Sequence, residues 1–373
     1  MKQMLAVLLS AGLLAVSTGC GALLERDYTQ VTDHVDQTAD TGDATALRAE
    51  GYADLVSSAQ YFVTMGAATG TVHLYQYTGD IEQAVNNACD AILYSDPVGA
   101  YALRDVTCEY THIVSYYECV FTYRYRRTMD QIAAIQQVNG KAAFRREVAA
   151  ALTGFAGQLV LKSSSYYDSV ETVQREIWEV YYDTPEAALA LPKITVQLYP
   201  NRGAARVVEI NLDWGLARTV LEEQAEEVSA AAARIVGEDS GTDVTNAWLL
   251  YTRLRSGLDW SPEGESSVYN ALVEGTANSE GVAMAYRLLC DRAGITCQVV
   301  RGTRKSQVHC WNLITIDGVS WHLDVTAGEN RGSFLHTDEE MAQACSWSRE
   351  DYPVCNGETA VVESAAADSS EAG

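Results

Sequence analysis

Asp317-Gly318 is the feature that most narrows what this chain can form. The pair divides two β-rich runs, residues 308–316 and 319–326. Asp-Gly readily supplies the two positive-φ positions of a primed turn, so the spacing predicts a two-residue hairpin. Such a loop fixes the register, with Ile316 facing Val319, Leu313 facing His322 and Trp311 facing Asp324. Side chains two positions apart share a face, so His309 and Asp324 become diagonal neighbours within reach of a hydrogen bond. A carboxylate orienting an imidazole is the rear half of a catalytic triad. Cys310 points to the opposite face and is a poor nucleophile for that pair. His322 falls on the His309 face, either as an accessory residue or as a polar residue on the hairpin's solvated side.

Upstream, residues from Glu280 onward read as a helix. Val282, Ala285, Tyr286 and Leu289 share one face, and Gly294 stands at the stop position. Ser279 therefore lies at or just before the helix N-terminus, where unpaired N–H groups and the positive dipole end converge. That place lowers a thiol pKa and can hold an oxyanion. It is equally an ordinary place for a capping serine.

Taken in order, these segments resemble the bacterial transglutaminase-like, papain-like superfamily. Ala271-Leu272-Val273 followed by Ser279-Glu280-Gly281-Val282-Ala283 is similar to that family's turn and nucleophile helix. His309-Cys310-Trp311-Asn312 resembles its histidine strand, and Trp321-His322-Leu323-Asp324-Val325-Thr326 its aspartate strand. The resemblance implies an α+β fold, with a nucleophile helix packed on an antiparallel sheet. It implies a triad at Ser279, His309 and Asp324, with Trp311 and His322 as possible groove residues. The family's cysteine position is Ser279, and its following tyrosine position is Val282. A hydroxyl ionises far less readily than a thiol of pKa about 8.5, so thiolate–imidazolium chemistry is closed to it. The expectation is a catalytically inactive or impaired domain that binds peptide, protein or cell-wall material. The alternatives are an amide or ester hydrolase or acyltransferase with Ser279 as nucleophile, and a chain whose N-terminal domain does the work. No cofactor or metal is expected, because no Cys/His spacing reads as a zinc site.

The rest of the chain sets the context. Lys2, a short apolar run from Leu5 to Val16, and Ser17-Thr18-Gly19-Cys20 resemble a bacterial lipoprotein signal. The resemblance implies cleavage before Cys20, a lipid on its sulfur, and an extracytoplasmic protein anchored to the membrane. Residues 1–19 are then signal peptide and 20–50 a polar tether. Residues 51–238 read as a mixed α/β domain, 239–357 as the transglutaminase-like domain and 358–373 as a disordered tail. Within the first domain, 129–152 is helical in composition, and 194–199 with 206–210 form a hairpin signal. Tyrosines along 110–125 are sheet packing or a ligand face. A formal charge of −24 argues against nucleic acid. Eight cysteines follow Cys20; Cys108 with Cys119 and Cys345 with Cys355 are local pairs an oxidising compartment would permit.

Overall fold

The structure, a computed structural model, describes residues 39–40, 43–164, 169–238, 241–328 and 334–357. The expected signal, Cys20, most of the tether and the 358–373 tail lie outside them. The chain is mixed α/β and divides into two units, residues 1–92 with 105–124, and residues 93–104 with 125–373. The expected joint, at the boundary between residues 238 and 239, falls inside the second unit. No helix among the described residues is long and apolar enough to cross a membrane.

The first unit carries a five-stranded sheet in the order β1-β2-β3-β5-β4. Its strands are β1 (Ala39–Asp40), β2 (Asp43–Ala49), β3 (Thr69–Tyr75), β4 (Leu103–Ile113) and β5 (Tyr116–Tyr125). Helices α1 (Tyr52–Thr64) and α2 (Ile81–Asp90) accompany it. Leu55, Val63, Val72, Leu74 and Phe121 are fully buried in it. The aromatic run at 110–125 forms a hairpin rather than one strand. Tyr123 is core, its hydroxyl donating to the Ala59 carbonyl at 2.9 Å, whereas Tyr110 is exposed.

The second unit begins with α3 (Pro97–Ala102) and α4 (Met129–Ala133). It continues through β6 (Gln136–Val138), α5 (Gly140–Thr153), β7 (Gln158–Ser163), α6 (Val170–Asp183), β8 (Lys193–Tyr199) and β9 (Arg206–Asp213). These strands make a sheet in the order β6-β7-β9-β8. The helix expected over 129–152 is broken at its centre, because Gln136, Gln137 and Val138 pair in parallel with Leu161, Lys162 and Ser163. Gly140, at φ 80°, then restarts the chain as α5.

Helices α7 (Arg218–Val236) and α8 (Asp243–Ser256) lead to the short paired strands β10 (Asp259–Trp260) and β11 (Thr276–Ala277). Next come α9 (Ser279–Ala293), β12 (Thr296–Arg304), β13 (Gln307–Ile316), β14 (Val319–Leu323), α10 (Asp338–Met341) and β15 (Cys345–Ser346). The last four strands form an antiparallel sheet in the order β14-β13-β12-β15. Its register pairs Ile316 with Val319 and Leu313 with His322. One apolar core runs from Val138 and Phe144 through Val228 and Ala231 to Tyr286 and Leu323. Residues on either side of the expected joint therefore share one interior, which is why contacts do not thin out there.

α9 is buried nearly all round, with Val282, Ala285, Tyr286 and Leu289 each at 1% exposure or less. Gly281 is required here, since a Cβ would lie 2.9 Å from both the N and O of Ser267. Gly294, at φ 74°, ends the helix as expected.

Candidate functional site

Asn278, not Ser279, caps α9. Its Oδ1 accepts from the amides of Glu280 at 3.0 Å and Gly281 at 3.1 Å. This leaves Ser279 as the first helical residue, its hydroxyl free of capping duty. Asn278 is held in turn by donation of its amide to Ser266 Oγ at 2.6 Å. Across from it, the Cys310 backbone N–H donates to Ser279 Oγ at 3.2 Å. No hydrogen bond joins Ser279 to His309 among the described residues. Both line a cavity of about 440 Å³, together with Trp260, Arg304, Lys305 and Thr326.

His309 and Asp324 meet as the hairpin register implies, Nε2 to Oδ2 at 2.8 Å, with the two residues 5% and 3% exposed. A carboxylate only accepts, so Nε2 is the donor in this pair. β14 ends one residue before Asp324 rather than running to Thr326. The cause is local: Asp324 Oδ1 accepts from Thr326 N at 3.0 Å and Thr326 Oγ1 at 2.6 Å, capping a 3-10 turn over Val325–Ala327. Its Oδ2 also accepts from Arg304 Nη1 at 2.9 Å. Burial would push the Asp324 pKa up. The bond to His309, the charge of that ring, the Thr326 bond and the Arg304 guanidinium outweigh it, and the carboxyl is held below its ordinary 3.8.

Asn312 ties the strand to the helix, its amide donating to the Ala283 carbonyl of α9 at 2.8 Å. Glu280 accepts from the Tyr182 hydroxyl, and the Arg301 guanidinium lies 4.5 Å from the centroid of the Tyr182 ring. The Cys310 thiol is pushed up to about 12, first by burial and then by the Glu280 and Asp324 charges, against an opposing Arg301. At neutral pH it stays protonated, although Cys310 is itself among the residues that line the cavity.

Trp311 and His322 are corrected. They are 1% and 0% exposed and do not line the cavity, so they cannot serve as groove residues. The chain after the hairpin covers them, with Met341, Cys345, Trp347, Tyr352 and Cys355 packed on that side. Trp311 Nε1–H donates to His322 Nδ1 at 2.9 Å, and His322 Nε2 meets Asp338 Oδ1 at 2.9 Å. His322, Asp338 and Cys355 place one potential metal-ligand atom each within 4.8 Å of one another. An indole is donor only, so it holds the Nδ1 lone pair and leaves the proton on Nε2, the nitrogen that faces Asp338. A metal on Nε2 would force a proton onto Nδ1 against the indole N–H. These residues form a hydrogen-bonded support for the sheet.

The eight described cysteines are free thiols, including the expected local pairs. Cys119 raises the pKa of the Cys108 thiol, and burial followed by Cys297 raises that of Cys290.

Sequence reasoning missed Asn278, Arg304 and Thr326. Asn one residue before a helix is a capping signal, and Thr two residues after Asp is a turn signal. Arg304 reaches Asp324 only through the pairing of three strands, and no local pattern marks it.

No protein-family model matches the chain, and no curated protein matches it. Among solved structures the chain is similar to one described as a TGase, at 7% identity and TM-score 0.28, covering 59% of this chain and 64% of that one. A candidate cysteine protease from Cytophaga hutchinsonii matches at 11% identity and TM-score 0.26, over 45% of this chain and 80% of its own. A candidate protease from Parabacteroides distasonis matches at 11% identity and TM-score 0.24, over 48% and 42%. The chain thus spans less than two thirds of the length of the first and third of these proteins.

Proposed function

We propose that residues 239–357 act as a transglutaminase-like domain whose Ser279 cavity binds a peptide or cell-wall ligand, with turnover absent or greatly slowed. One observation carries this reading: Ser279 Oγ accepts from the Cys310 amide and makes no hydrogen bond to the His309 base. A thiol in that position would ionise beside an imidazole. A hydroxyl must instead have its proton removed during attack, which needs the base in contact. The order of the motifs at Ser279, His309 and Asp324 supports the family reading. The segment ending in Cys20 supports an extracytoplasmic, lipid-anchored protein. Retention of the Cys20→Ala chain in the membrane fraction would overturn the anchor.

A second reading is favoured by His309 Nδ1, which has no hydrogen-bond partner among the described residues. Ser279 would attack an amide or ester carbonyl and pass its proton to Nδ1, while Asp324 steadies the ring through Nε2.

One experiment separates the two. Amide hydrolysis and transamidation are measured for the parent, Ser279→Cys and Ser279→Ala, with fluorophosphonate labelling of each. Turnover in Ser279→Cys beside an inert, unlabelled parent supports the first reading. Labelling of the parent that is lost in Ser279→Ala overturns it in favour of the second.

A further inference from the structure

The charges around the Ser279 cavity are not arranged like those of the chain as a whole. The chain carries a formal charge of −24, yet Arg304 and Lys305 lie side by side on the cavity wall. Arg304 is fixed by one guanidinium nitrogen on Asp324, and its side chain stays 34% exposed. Lys305 is exposed, and its ammonium has no partner among the described residues. The acidic member of the lining, Glu280, is engaged by Tyr182 and flanked by Arg301.

Lys305 is also held there at a conformational cost. Arg304 pairs with Gln307, so Lys305 and Ser306 form a two-residue turn, at φ 50° and 65°. Those positions favour Asn and Gly, and a lysine in them is strained. The tip is braced from β15, where Arg304 pairs with Cys345 and the Lys305 amide donates to the Ala344 carbonyl at 3.4 Å. The lining also holds an apolar pair, Trp260, 40% exposed, and Pro262.

We propose that the ligand of this cavity is a peptide bearing a carboxylate, seated between Arg304 and Lys305, with an apolar neighbour against Trp260 and Pro262. The proposal rests on the reading of the cavity as a ligand site. The carboxylate can come from an acidic side chain or from a chain end, and both present the same group to the two cations.

The test is a fluorescence titration of the full chain with three dansyl peptides. Ala-Glu-Ala amide carries a side-chain acid, Ala-Gln-Ala a terminal acid, and Ala-Gln-Ala amide neither. At least one acid should bind about ten-fold tighter than the neutral peptide, and Lys305→Gln should cut that preference to about three-fold or less. The acid preferred identifies the source. Gln tolerates the same exposed turn, so an unchanged melting temperature certifies the variant's fold. Equal binding of all three peptides, or a preference that survives Lys305→Gln, overturns the carboxylate site and leaves the cavity reading standing. Failure of every peptide to bind overturns both.

Discussion

Replacing Asp324 by Asn removes a charge from the most heavily bonded polar group at the site. The carboxylate accepts from His309 at 2.8 Å and Arg304 at 2.9 Å on one oxygen, and twice from Thr326 on the other. An amide has one accepting oxygen. If it faces Thr326, the new NH2 opposes the donors of both His309 and Arg304. If it faces His309 and Arg304, the Thr326 backbone N–H loses its acceptor. At 3% exposure water cannot fill the gap. Losing one or two bonds to a buried charge costs about 1.5–3 kcal/mol each, and stranding a buried partner raises the total to about 3–5 kcal/mol. At about 2–4 °C per kcal/mol for a large domain, melting should fall by roughly 6–20 °C. The pH dependence has a definite sign. Asp324 has a folded pKa below 3.8, so its contribution is present above the unfolded value and lost as pH falls through the folded one. Urea unfolding of parent and variant across that acid range should show the gap widest near neutrality and narrowing toward acid. A variant melting within about 2 °C of the parent at neutral pH, or a gap that does not narrow, refutes the reasoning.

Gly302→Ala should destabilise the sheet by about 1–3 kcal/mol. Its Cβ would stand 2.3 Å from the Ser346 carbonyl oxygen and 2.8 Å from Trp311 Cη2, a backbone and a buried ring that cannot both move. Calorimetry reads the loss, and an unchanged melting temperature would contradict this packing. Tyr101→Phe should be neutral or stabilising by about 1 kcal/mol, because the Tyr101 hydroxyl is buried with no partner in the structure. The ring, 4.6 Å from the Arg127 guanidinium, keeps its cation–π contact as Phe. A clear loss of urea stability in that variant would show that the hydroxyl is bonded after all.

What could be read from the sequence depended on how local the determining physics was. The Asp317-Gly318 turn fixes a register by chain geometry alone, which brings the end of β14 beside His309, and Thr326 and Arg304 then hold Asp324 there. The same local logic holds for α9 with its Gly294 stop. Residues 129–152 failed because helical composition is only a preference. Pairing of Gln136–Val138 with a strand more than twenty residues later outweighs it, and only the tertiary fold supplies that partner. Trp311 and His322 failed for a related reason. The hairpin puts them on the correct face, but whether that face meets solvent is decided by chain from Met341 to Cys355 that folds back over it.

That covering layer belongs to a frame of bonds around His309 and Asp324. The bonds that orient His309 come from Asp324, and those that orient Asp324 come from Arg304 and Thr326. The Trp311–His322–Asp338 chain braces the sheet from behind. None of these contacts involves residue 279. Under the proposed reading, in which Ser279 stands where a cysteine would act, placing sulfur there changes the acidity of the side chain by many orders of magnitude and touches only the bond from the Cys310 amide. Because that frame is built without residue 279, Ser279→Cys tests the proposed chemistry without disturbing the scaffold.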